Sequence, residues 1–290
     1  MKITTILSIL LLLLSSCEDS NNNNYDWSQD GGNDVEEDNT DGSIDLVNDG
    51  SQNDGDVIDP ADPPPDLAGV WVQKQILASV INYPMIGAVD TFHINYLLVT
   101  ITQDGTSLVA SEKTCAIDIE ADTNLQTTII PQAFVDSMDI EAKPVSLLPY
   151  NEGYKFYQHK YYQLQGINLS DVENEEMPTE ADDPRVFDQD TDSNPGLTVR
   201  MTGTLSGELY VISREYTVLT SEEVSTSGFE GLIDWEGSQI TVGASSAILN
   251  TTPESVTHPD AALSNFKYVK VDDTFTCEDV IAQKETLFEQ

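Results

Sequence analysis

From position 67 to the C-terminus, apolar and polar residues alternate in short runs with a period of two, broken by Gly, Pro, Asn and Asp. That is the pattern of strands with one buried face. Leu67 to Val72 opens an apolar stretch that continues through Ile76 and Val80. Residues 91–101 are rich in β-branched and aromatic side chains, and Gln103-Asp104-Gly105-Thr106 is a tight-turn signal. The run from Ser107 to Ala110 then pairs back as a hairpin. Cys115, Ile117 and Ile119 alternate with Ala116, Asp118 and Glu120, which predicts one buried face carrying all three. Further strands are predicted over 154–164, 197–202, 207–219, 222–227, 229–235, 239–243 and 266–271, with a turn at Glu236-Gly237-Ser238. Residues 168–184 are acidic and loop-like. Helical signals are few. Pro131 to Met138 reads as one short helix with Pro131 in its first turn. Thr276-Cys277-Glu278-Asp279 resembles a capping box ahead of a helical run over 280–288. Many strands with regular turn signals predict an all-β fold, an antiparallel barrel or sandwich with a short C-terminal helix.

The segment before this domain has a different texture. Residues 18–66 hold sixteen acidic residues, no Lys or Arg, and few apolar positions without a period. Such a segment buries too little surface to offset chain entropy, and its like charges extend it. Residues 17–66 are therefore expected to be a disordered Asp/Asn/Gly-rich tether, and 67–290 one β-rich domain.

Ahead of the tether lies Met1-Lys2, an apolar run from Ile6 to Leu14, and Leu14-Ser15-Ser16-Cys17. A basic start, a short apolar core and small residues before a cleavage point predict a signal peptide over 1–16, since the run is too short to span a bilayer. The last four residues resemble the lipobox of bacterial lipoproteins. The resemblance implies that Cys17 is diacylated, becomes the first mature residue and is acylated on its amine. The expected address is the cell envelope, with the membrane as partner through this lipid, at the outer membrane or cell surface rather than the inner membrane.

Charge sharpens the partner classes. The chain carries 12 basic and 51 acidic residues, a net charge of -39. Such a field repels nucleic acid and anionic lipid and attracts cations. With Cys17 assigned to the anchor, Cys115 and Cys277 remain, and an exported protein pairs them. A bridge closing so long a loop contributes about 4 kcal/mol by the chain-entropy argument. His93, His159 and His258 share no motif, and no Cys/His spacing fits zinc.

Two stretches carry candidate chemistry. Asp188, Asp190, Asp192 and Asn194 place oxygen ligands at alternate positions, as in the first half of a calcium loop. Ser193 and Val199 replace the Gly and the closing Glu of an EF-hand, so an EF-hand is rejected. A looser calcium loop closed by Asp182, Asp183 or carbonyls stands beside a solvated acidic loop as the two readings. The aromatics Tyr154, Phe156 and Tyr162, with Trp71 and Trp235, are the candidate lining of a pocket for an apolar or sugar ligand, or for a protein.

Gly69-x-Trp71 resembles the lipocalin signature, in which the Trp plugs the bottom of an up-and-down barrel beside a late basic residue. The resemblance implies a lipocalin-like barrel and gives Lys267 or Lys270 the partner role; the plain alternative is a Trp71 packed in a β core. Residues 188–199, with the late strand at Phe266 and Cys277, also resemble a group of bacterial surface lipoproteins of unknown activity. No G-x-S-x-G, H-E-x-x-H or phosphate loop is present, and a non-enzymatic role is expected. Three functions are carried forward: a binding or interaction module, a structural surface protein held by the disulfide and calcium, and a carboxylate-based hydrolase.

Overall fold

In the computed structural model, the unit Asp54–Gln290 is described for residues 62–83, 87–123 and 125–289. The expected signal peptide, Cys17 and nearly all of the expected tether lie outside the described residues. The chain runs β1 (Gly69–Tyr83), β2 (Gly87–Asp104), β3 (Ser107–Ala121), β4 (Gln126–Ile129), α1 (Gln132–Asp136), β5 (Glu141–Tyr150), β6 (Gly153–Gln165), β7 (Leu197–Gly203), β8 (Gly207–Ser221), β9 (Gly228–Ala244), β10 (Glu254–Thr257), β11 (Asn265–Lys270) and α2 (Cys277–Gln283).

Eight of these strands close a ring in the order β1-β2-β3-β5-β6-β8-β9-β11 and back to β1, every neighbour antiparallel. Of the two expected architectures this is the barrel, an up-and-down meander with the connectivity the lipocalin resemblance implies. Closure pairs most of the ring's strand edges, the exception being β9 beyond Leu232 on the side facing β11 and β10. The short strands extend it. β7 continues the edge of β8 beyond β6, β4 pairs β7, and β10 continues the edge of β1 beyond β11. The β3–β5 connection, with β4 and α1, lies across one end of the barrel. The other end is packed solid by Leu67, Trp71, Val99, Ile101, Leu147, Phe156, Phe229 and Tyr268, all nearly or fully buried.

At that solid end Trp71 donates its indole N–H to the Leu67 carbonyl at 2.7 Å. It meets Phe229 and Tyr268 edge to face. Lys270, opposite Trp71 in the ladder, sets its Nζ 4.6 Å from the indole centroid. Trp71 thus packs in a β core and has a late basic neighbour as well, and that neighbour is Lys270.

The outer face carries the C-terminal helix. Thr276 caps α2 reciprocally with Asp279, and Val280 packs on Val72, Ile94 and Tyr96. Cys277, the first residue of α2, is bridged to Cys115 with Cα atoms 5.1 Å apart. Cys115 sits at a β-bulge. Tyr96 pairs Ala116 and Leu97 pairs Thr114, so Cys115 is the extra residue. A bulge reverses the facing of everything beyond it. Cys115 and Ala116 join the outer cluster, whereas Ile117 and Ile119 face the interior. The expectation that Cys115 shares a face with Ile117 and Ile119 is therefore corrected.

Two further expectations give way. Residues 222–227 form a loop, not a strand. Glu236-Gly237-Ser238 is not a turn: β9 runs unbroken from Gly228 to Ala244, with Gly237 opposite Glu215. The glycine serves packing instead. A Cβ there would stand 3.1 Å from Cζ3 of Trp235 and 3.5 Å from Cβ of Glu215. Pro131 stands at the N-cap position of α1 rather than inside its first turn and makes no side-chain cap, the hairpin turns at residues 105–106, and the C-terminal helix ends at Gln283, short of the run expected over 280–288.

Candidate functional site

A cavity of about 390 Å³ occupies the open half of the barrel. Its depth is set by the alternation of the long strands. Positions 75, 77, 79 and 81 of β1 and 93, 95 and 97 of β2 point inward, as do 213 and 215 of β8. Ile130, Phe134 and Met138, from the connection carrying α1, line the far side. Several lining residues are also solvent-exposed: Ser238 and Gln239 of β9, and all of β10. They mark a mouth between β9 and β10. There the ring is unzipped, because β9 pairs β11 only through Gly228–Leu232 and β10 pairs β1. A smaller space of about 90 Å³ adjoins the cavity, sharing Ile81, His93, Ile119 and Val199.

Below the cavity lies a polar layer. Lys143 on β5 and Glu112 on β3 are both almost wholly buried, with Nζ 2.7 Å from Oε2. Tyr161 donates its hydroxyl to Glu141, and burial, then this bond, pushes its pKa up to about 12. Lys143 Nζ also lies 5.5 Å from the Tyr161 ring centroid. Buried Gln73, Gln158 and Tyr268 each keep a polar side-chain atom with no protein hydrogen-bond partner. Polar groups buried this way weaken a barrel core unless they specify something.

Four titratable residues line the cavity: His93, Arg214, Glu215 and Glu254. Burial pushes the Glu215 carboxyl up, partly countered by Lys143. Burial lowers His93 to about 4, so its imidazole is neutral at physiological pH. Both side chains retain intermediate exposure although they are enclosed by protein. The surface they expose faces the cavity.

The five aromatics expected at a ligand site do not converge. Trp235 lines the cavity, with its indole N–H held by Ser264 Oγ at 3.0 Å. Trp71 and Phe156 are fully buried in the solid end, and Tyr154 packs against the same cluster. Tyr162 is on the outer face, edge to face with Tyr216 and bonded to Glu173. The reason is a second bulge. Gln158 pairs Leu219 but Tyr161 pairs Thr217, so β6 carries one extra residue between them. His159 and Lys160 are both exposed, Tyr162 turns outward, and Tyr161, Gln163 and Gln165 take the interior. Glu215, His93 and the Glu112–Lys143 pair were missed. Polar residues occupy both parities of these strands, so alternation does not single them out.

The Asp-rich loop is compact. Asp188, Asp190 and Asp192 each offer an oxygen within 4.8 Å of the others. Asp188 accepts from the Asp192 and Ser193 N–H groups, and Asp192 from Asn194 N–H at 2.9 Å and the Thr198 hydroxyl at 2.5 Å. Thr198 N–H binds Oδ2 of buried Asp190, and its Oδ1 has no hydrogen-bond partner. Burial and the two neighbouring carboxylates push Asp190 up. Asn194 enters through its backbone, and Asp183 is committed to Arg185 at 2.9 Å, so Asp183 does not close the shell. Gln189, inside the loop, donates to the Ser137 carbonyl beyond α1 and to Gln165 on the cavity wall.

The hydrolase reading needs two available carboxylates. Glu112 holds Lys143 and Glu141 holds Tyr161, while the cavity itself is lined by Glu215 and, at the mouth, Glu254. Fold and site together define a closed up-and-down barrel with a mouth and a ligand-sized interior. The chain matches no protein-family profile, no curated protein and no solved structure.

Proposed function

We propose that this is a lipid-anchored envelope protein whose barrel binds a small amphipathic molecule. The observation that carries the reading is the cavity of about 390 Å³. It has a mouth and a wall that mixes apolar side chains such as Leu77, Ile117 and Ile119 with polar ones such as Gln75, Asn95 and Glu215; ligand sites combine such features in this volume range. The anchor is inferred from the lipobox-like residues before Cys17. Saturation of the full chain with a small fluorescent apolar probe tests the binding part. One probe per chain is expected, and Ser213→Trp, which fills the cavity, abolishes it. Equal binding by the filled variant overturns the reading.

A second reading concerns the Asp188 loop, proposed as a structural calcium site. It is favoured by the buried Asp190 Oδ1, which lacks a hydrogen-bond donor and faces the usual cost of an unpaired polar atom. Calcium takes carboxylate and carbonyl oxygens in flexible numbers, as this loop offers.

A further inference from the structure

We infer that the cavity selects an organic cation, an ammonium group on a short apolar body, and that Glu215 and Trp235 receive the ammonium. This inference rests on the reading of the cavity as a binding site and adds the ligand's chemistry.

Glu215 points into the barrel from β8, opposite Gly237. The interior cation Lys143 is held by Glu112 at 2.7 Å. Lys143 acts on the Glu215 carboxyl only through space, its own ion pair being with Glu112. A carboxyl enclosed by protein and facing a cavity wants a donor or a cation from the ligand. The neighbouring wall offers a second cation-seeking surface. The Trp235 ring packs on Gly237, directly across the ladder from Glu215, and both Trp235 and Glu215 line the cavity. An ammonium near a carboxylate and over an indole face gains from both, more so when desolvated.

The charges around the cavity disfavour the opposite class. Arg214 contributes to the wall from the outer face, with its Nη1 bonded to the Val172 and Glu175 carbonyls. His93 is neutral. Glu254, at the mouth, is acidic. A fatty carboxylate or a phosphate would meet Glu215 and Glu254, with Arg214 turned outward onto two backbone carbonyls. The apolar body has its own place against Leu97, Ile117, Ile119 and Val211. An overall charge of -39 raises the local concentration of cations before any enters.

Calorimetry on the full chain with three probes of equal length tests the inference: octyltrimethylammonium, octanol and octanoate, at neutral pH. The ammonium is expected to bind at least about tenfold tighter than octanol, a difference of about 1.4 kcal/mol. Octanoate is expected to bind weakest. Glu215→Gln keeps the shape and removes the charge, so it should cancel the ammonium preference and leave octanol within about twofold. Octanol or octanoate leading in the unmodified chain, or an undiminished ammonium preference in Glu215→Gln, overturns the ligand class while the binding site stands. Binding by none of the three overturns the binding reading and this inference with it.

Discussion

Lys270 Nζ lies 4.6 Å from the centre of the Trp71 ring and donates to the Ala68 carbonyl, tying the last strand of the barrel to the entry of the first. The contact closes the ring at its solid end, where Trp71 is wholly buried among Phe229 and Tyr268. Trp71→Ala should cost about 4 kcal/mol, through lost burial and the cavity left behind. Lys270→Met keeps the stem and removes the charge, and should cost about 1 kcal/mol. Urea unfolding measures both. A Trp71→Ala loss below that of Lys270→Met would refute the assignment of Trp71 as the anchor of this end.

The Cys115–Cys277 bridge joins β3 to α2 across 162 residues of sequence. Reduction, or Cys277→Ser, should lower stability by about 2–5 kcal/mol. Amides of α2 should exchange faster while those of β8 stay protected, because α2 rests on the outside of the barrel. Non-reducing peptide mapping checks the pairing directly; two alkylatable thiols in the native protein would contradict it.

Acid should act through His93. Its native pKa is lowered from 6.5 to about 4 by burial, so between those values the unfolded chain binds the proton that the native chain refuses. Stability due to this group is fully kept above about 6.5 and lost as the pH falls toward about 4, by up to about 3 kcal/mol. Glu215 works with the opposite sign: its raised carboxyl favours the native state at low pH and costs stability as the pH rises above its unfolded value. His93→Gln should therefore flatten the acid limb of the stability curve relative to the unmodified chain, and Glu215→Gln should steepen it. Parallel acid limbs in all three proteins would contradict both assignments.

Calcium at millimolar concentration should raise the melting temperature, as any ligand of the native state does. Asp190→Ala and Asp192→Ala should each remove the response, because each withdraws one of the three clustered oxygens. Since Gln189 ties the same loop to Ser137 and Gln165, calcium should also slow amide exchange around α1. A melting temperature indifferent to calcium would leave the loop as a solvated acidic turn.

Cys17→Ala should release the protein from membranes and end lipid labelling, if the residues before it act as a lipobox. Continued labelling would remove the anchor from the proposed function.

Much of the barrel was legible because strand alternation and turn residues are local. The hairpin at Gln103 to Thr106, the strands β7, β8 and β11 and the capping box of α2 all follow from neighbours in sequence. So does the pairing of Cys115 with Cys277, which needs only the cysteine count and an exported context. Facing did not follow. One extra residue in β3 moved Cys115 outside while Ile117 and Ile119 stayed in, and one in β6 exchanged Tyr162 for Tyr161 at the interior. A bulge leaves almost no mark on composition, and its position is stabilised by what packs on each face; for Cys115 that is a helix from the far end of the chain. Gly237 has the same lesson in reverse. By itself it signals a turn, yet between the Trp235 ring and Glu215 it is the residue that fits an unbroken strand. The sequence by itself determined that this protein is a β-domain with a bridged C-terminal helix. Only the closed ring decided which side chains share its interior, because that depends on register summed across eight strands and not on the period of any one.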